Sequence, residues 1–252
     1  MKTIKNEKDK MVFVEEMDET LANAIRRSVN EIETMAIDEV TFYKNDSALY
    51  DEIIAHRMGL IPFRNEKLVA MRDCSCKGKG CNRCTISLKL KASGPATVYS
   101  GDLKGNAEVV HDKIPIVILT EGQEIELEAH IRTGKGSQHI KFSPGLVYYR
   151  HVAEIDFEKD CDACKEAVEI CPQKILEEDK GKLKVKDIYK CDLCEACIEA
   201  CKKKGKNCIN IKPGKEIMFF IESYGSIPAK EIFAKAVVAL NDNLEQLQKE
   251  IK

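Results

Sequence analysis

Tryptophan is missing from this chain, and aromatic residues of all kinds make up only 6% of it. A groove that binds single strands by stacking bases is therefore not expected. An excess of either charge is missing too. Forty Lys+Arg against 42 Asp+Glu leave a formal net charge of -2, which excludes strong independent attraction to nucleic-acid phosphates. No apolar run approaches membrane-spanning length; the longest, at 114–119 and 217–221, are strand-sized. The opening MKTIKNEKDK has no apolar stretch of the signal-peptide kind. These absences lead us to expect a cytoplasmic protein with no membrane contact and no strong direct nucleic-acid binding.

Cysteine, by contrast, is abundant. Of twelve, eleven fall into two groups with metal-ligand spacing and Cys208 stands apart. Disulfide frameworks belong to small exported domains, so here the cysteines read as metal thiolates in a reducing compartment. The first group is Cys74-Ser-Cys76-Lys-Gly-Lys-Gly-Cys81-Asn-Arg-Cys84. Two close thiolate pairs joined by a Gly-rich turn can close a tetrahedron around one zinc ion. Four sulfurs leave no position for a reacting water, so such a site is structural and a zinc hydrolase is excluded. Spacing shows capacity rather than occupancy, and a free-thiol loop is the alternative.

The second group lies between residues 161 and 211. Cys161-x2-Cys164-x6-Cys171-Pro172 is followed by Cys191-x2-Cys194-x2-Cys197-x3-Cys201. This ladder resembles the two-cluster bacterial ferredoxins, in which three close cysteines and a distant one before proline hold each cube. The resemblance implies a [4Fe–4S] cluster on Cys171, Cys191, Cys194 and Cys197. In the other half Ala167 occupies the third cysteine position and Lys202 replaces the usual proline. Cys161, Cys164 and Cys201 then suit either a [3Fe–4S] cluster or a vacant site. Cys208, in CINI, reads as a small apolar core residue.

Around these groups the text is α+β. Residues 11–14 read as a strand. Leu21, Ile25, Ser28, Val29, Ile32 and Ala36 recur at helical spacing, with Asp18 at the N-cap and Glu19 at the positive end of the dipole. A strand at 39–43 follows. A second helix from about Ser47 should turn Leu49, Ile53, Ile54 and Met58 inward and stop at Gly59, before Pro62. Neither helix carries a reactive group; Arg26, Arg27, His56 and Arg57 read by pattern as solvated tips. From 85 to 149 strands alternate, with Ile86, Leu88 and Leu90 in one and Ile125, Leu127, Ala129 and Ile131 in another. Thr133-Gly-Lys-Gly-Ser137 lacks the glycine spacing of a phosphate loop and is a turn. His111, His130, His139 and His151 show no mutual spacing of a site, and the lysines of 202–206 read as a solvated loop. After Pro213-Gly214 comes an apolar strand at 217–221. Ser226 and Pro228 then open a long helix on which Phe233, Val237, Leu240, Leu244, Leu247 and Ile251 form a coiled-coil-like seam. Periodicity alone serves packing within the chain or against a partner equally well.

LANAIRRS, MAIDEV and ALYDEIIAHRMGLIPF resemble the α-type assembly subunits of DNA-directed RNA polymerase, above all the archaeal branch and its eukaryotic counterpart, the third-largest subunit of RNA polymerase II. GKGSQHIKFSP and ESYGSIPAKEIFAKA extend the likeness. The resemblance implies a split dimerisation domain at 1–40 plus 213–252, a mainly β insert at 41–155 with the cysteine loop 74–84, and a ferredoxin-like domain at 156–212. It implies a non-catalytic assembly platform that pairs with the small α-like subunit L and recruits small subunits N and P and the second-largest subunit. The interface would include Leu21, Ile25, Arg26, Arg27, Phe233, Val237, Leu240, Leu244 and Leu247. A ferredoxin-type electron carrier is the alternative, and it leaves most of the sequence without a role.

Overall fold

The computed structural model describes residues 1–64, 68–77, 79–158 and 165–251. The order opens with strands β1 (Lys2–Asn6) and β2 (Lys10–Glu16), helix α1 (Glu19–Ser28), β3 (Glu33–Asn45) and α2 (Asp51–Gly59). Strands β4 (Ile86–Ser93), β5 (Ala96–Tyr99), β6 (Lys104–Gly105), β7 (Pro115–Leu119), β8 (Glu124–Lys135) and β9 (Gly145–Phe157) follow. Then come α3 (Lys165–Ile170), β10 (Leu176–Asp179), β11 (Lys182–Val185), α4 (Ala196–Lys203), β12 (Ile209–Ser223) and α5 (Ala229–Ile251). The fold is mixed α and β. It forms two compact units, one of residues 1–5, 12–22 and 148–220, the other of 6–11, 23–147 and 221–252.

The first unit is organised on a four-stranded sheet in the order β1-β2-β12-β9. Phe13 and Phe219 stack with ring centroids 5.2 Å apart, and Tyr148 lies on Phe220 at 4.7 Å. Strand β12 runs unbroken through Pro213-Gly214, so the apolar segment 217–221 is the later part of a longer strand. Gly214 accepts a 3.0 Å bond from His151 Nδ1 through its carbonyl, and a Cβ there would stand 2.8 Å from Val152 O. The Glu158 amide donates to Cys208 O at 3.0 Å, so the end of β9 is bonded to the approach to β12. Between them, α3, the β10–β11 hairpin and α4 enclose a core of Ala167, Ile175, Leu176, Leu183 and five buried cysteines, with Ile209 and Ile211.

In the second unit the sheet runs β3-β8-β4-β6, with β3 and β4 both antiparallel to β8. The expected alternation is there: Leu88 faces Ala129 and Leu90 faces Leu127 in register, all four buried. Ile54 and Met58 of α2 join that core together with Met35, Ile37 and Phe63.

Three expectations about boundaries need correcting. The opening helix stops at Ser28, whose Oγ donates back to Ala24 O at 2.9 Å, a bond that competes with continuation of the helix. A 3-10 turn (Val29–Glu31) follows, and Ile32 and Ala36 lie beyond the helix. The run 34–37 is buried throughout and pairs with β8, so β3 starts well before residue 39. A short apolar run fits helix and strand equally, and sheet pairing decided. The second helix begins at Asp51 rather than near Ser47. Asn45 donates to Leu49 O at 2.9 Å and accepts from the Ser47 amide at 3.1 Å, holding the segment in a turn. Ile53 then faces outward.

Candidate metal centres and an uncovered helix

The loop between α2 and β4 draws Cys74, Cys76, Cys81 and Cys84 together, their sulfurs all within 4.8 Å of one another. Cys74 Sγ lies 3.5 Å from Cys81, Cys76 Sγ 3.6 Å from Cys84, and Cys81 Sγ 3.9 Å from Cys84. Tight backbone turns make this convergence. The Lys77 amide donates to Cys74 O at 3.0 Å and the Cys84 amide to Cys81 O at 2.9 Å, while Gly80 takes a φ of +77°. The thiols share their protons unevenly. The Arg83 amide, then the Cys74 thiol, pull Cys81 down to about 6. At Cys74 the Cys76 amide also pulls downward, but burial and the Cys81 sulfur outweigh it and push the thiol up to about 11. Four sulfurs so placed could bind one metal ion.

The second cysteine group is arranged differently. Cys171, Cys191, Cys194 and Cys197 line one small cavity with Ile155, Ile175, Leu176 and Ile211. Burial pushes Cys197 up to about 11; it also raises Cys191, with the Leu193 amide and Arg150 guanidinium working against it. The loop that carries three of these residues turns through two left-handed non-glycine positions, Leu193 at φ 60° and Glu195 at φ 58°. Cys161 and Cys164 lie outside the described residues. Cys201 is buried on α4. Cys208 is buried as expected of a core residue, but it is disulfide-bonded rather than simply apolar filling.

Sequence reasoning missed Arg150. Its guanidinium, on β9, donates to the main-chain oxygens of Tyr189 and Cys191. Nothing in cysteine spacing signals it, because the contact joins residues about forty apart. The histidines behave as expected: His130 pairs with Ser87, His139 accepts from the Lys141 amide, and His151 meets the Gly214 carbonyl.

The terminal helix leaves the far end of its seam, Leu244, Leu247 and Ile251, uncovered. Only Ala229, Ile232 and Ala236 of α5 are buried, where its start packs on the 29–31 turn. Phe233, Val237 and Leu240 are half-buried, Leu244 and Leu247 are 55% and 52% exposed, and every described residue from 241 onward is exposed. Leu21 and Arg27 are exposed, while Arg26 is tied to Asn23 Oδ1 at 2.9 Å. Ile25 departs from expectation: at 6% exposure it is sealed inside this chain and offers a partner little surface. No helix among the described residues is long and apolar enough to cross a membrane.

Residues 31–147 match the family model described as the RNA polymerase Rpb3/RpoA insert domain. The DNA-directed RNA polymerase subunit Rpo3 of Archaeoglobus fulgidus is 36% identical over 92% of this chain and 89% of its own length. The subunit of the same name from Thermococcus kodakarensis is 36% identical over 95% and 92%. That of Methanothermobacter thermautotrophicus is 36% identical over 89% and 88%.

Proposed function

The chain belongs to the Rpo3 family of DNA-directed RNA polymerase subunits, and from that premise we propose that it is a non-catalytic assembly platform of the cytoplasmic enzyme. The observation that carries this reading is the uncovered far end of the α5 seam. A 23-residue helix extends about 35 Å, and its last eleven residues, 241–251, are all exposed, Leu244, Leu247 and Ile251 among them. The small α-like subunit L is the partner that completes it, with Leu21, Arg26, Arg27, Phe233, Val237, Leu240, Leu244 and Leu247 at the contact. Subunits N and P and the second-largest subunit then assemble on the pair. The electron-carrier alternative falls, because the kinship spans the whole fold rather than the cysteine ladder. Expression with and without subunit L tests the reading: association and a gain in solubility are expected, whereas an equally soluble monomer in both cases would sink it.

The two cysteine centres are structural in this reading. Zinc–sulfur bonds of about 2.3 Å set tetrahedral sulfurs about 3.8 Å apart. The separations of 3.5, 3.6 and 3.9 Å between Cys74, Cys76, Cys81 and Cys84 support zinc. Cys84→Ser should reduce bound zinc from one equivalent to a small fraction and leave iron unchanged, as elemental analysis would show. At Cys171, Cys191, Cys194 and Cys197, thiols ringing a cavity suit a polynuclear group, and the ferredoxin-like spacing points to [4Fe–4S]. The left-handed Leu193 and Glu195 support it as well. Such conformations cost on the order of 1–3 kcal/mol each and persist where something else fixes the loop. Cys201, with Cys161 and Cys164, is left to a second site that is either a [3Fe–4S] cluster or vacant, and the disulfide at Cys208 favours the vacant reading.

A further inference from the structure

Arg150 grips the turn that leads into the cluster loop. Its Nη1 donates to Cys191 O at 2.5 Å and its Nη2 to Tyr189 O at 2.6 Å. One carbonyl lies within the 3-10 turn Ile188–Lys190 and the other at its C-cap, the end at which helical carbonyls run out of partners along the chain. The planar fork reaches two acceptors at once, as a lysine ammonium on a single stem does not. Behind it the guanidinium lies 5.5 Å from the Phe220 ring, which is itself stacked on Tyr148. From β1, Lys2 Nζ donates to the Tyr189 hydroxyl at 3.0 Å and sits 4.5 Å over its ring. The turn is therefore held to the sheet from two strands, immediately before Cys191.

We propose that Arg150 is a positioning residue for the iron–sulfur cluster, fixing the Cys191 end of the ligand loop on the sheet and setting a permanent positive charge beside the metal. This rests on the reading that Cys171, Cys191, Cys194 and Cys197 hold that cluster. Two consequences follow from the chemistry. Groups that orient a metal ligand typically govern retention of the metal by tenfold or more. A fixed cation also favours the more negative of two cluster states, so it raises the potential for one-electron reduction. A purely structural cap would give the first effect without the second.

The test uses the full chain purified without oxygen, comparing wild type, Arg150→Lys and Arg150→Met. Wild type should carry about four irons and four sulfides for this cluster, and about three further irons if the second site is filled; no iron or sulfide in wild type would overturn the underlying cluster reading instead. With iron and sulfide present, Arg150→Met should lose its visible absorbance to a chelator on the order of tenfold faster and show a lowered midpoint potential in a dithionite titration. Arg150→Lys should restore the midpoint but not the retention. A wild-type midpoint in Arg150→Met, or wild-type retention in both variants, would overturn the proposal. Should Arg150→Met fail to fold, Arg150→Lys decides: wild-type retention in it overturns the grip.

Discussion

Replacing Leu244 and Leu247 together by glutamate should leave this chain folded and abolish the proposed pairing with subunit L. Both side chains are more than half exposed in the free chain. Substitutions at such positions usually change stability by no more than about 0.5 kcal/mol, and glutamate keeps nearly the helix propensity of leucine. In the complex the balance reverses. Each leucine covered by a partner contributes roughly 1.5–3 kcal/mol, and the incoming carboxylate must also lose water. Affinity should fall on the order of a hundredfold to ten-thousandfold. Light scattering of the mixed subunits and titration calorimetry would measure it. A double variant that binds like wild type, with an unchanged melting curve, would show that the partner sits elsewhere.

The second large effect concerns the proposed iron–sulfur cluster. Stripping iron anaerobically should unravel residues 165–208 while strands β4 and β8 keep their protection. Twelve buried residues make up the core there, and five of them are cysteines, so little apolar surface remains to hold it once the metal is gone. Binding energy of a structural metal is in large part folding energy. Amide exchange through α3, the β10–β11 hairpin and α4 should quicken on the order of a hundredfold. Exchange unchanged after iron removal would mean that the cluster contributes nothing to the fold of this region.

Those two forecasts draw on different kinds of legibility. The cysteine loop 74–84 could be read because all its ligands are local, and backbone turns within eleven residues bring the sulfurs together. The alternation in β4 and β8 was legible for a similar reason, since period two reports the buried face directly. Residues 29–37 misled because Val29, Ile32 and Ala36 keep helical spacing while Ser28 bonds back and β8 captures the chain. Ile25 shared the helical stripe with Leu21, yet one is sealed and the other exposed; periodicity names a face, not what covers it. Arg150 was invisible for want of any local signal, as its partners come from a different part of the chain. The seam of α5 was legible as a pattern, and only the coordinates showed how much of it the chain leaves bare.

The hydrogen bond between Glu158 and Cys208 has a bearing on how such subunits vary. It makes the cysteine-rich excursion between them a detour at the tip of a ribbon whose two legs, β9 and β12, are already fastened together. An in-frame deletion of 159–207, closed by a turn of a few residues, would leave the flanking strands in their places. A lineage could shed the appendage, or keep it with fewer cysteines, without redesigning the sheet beneath.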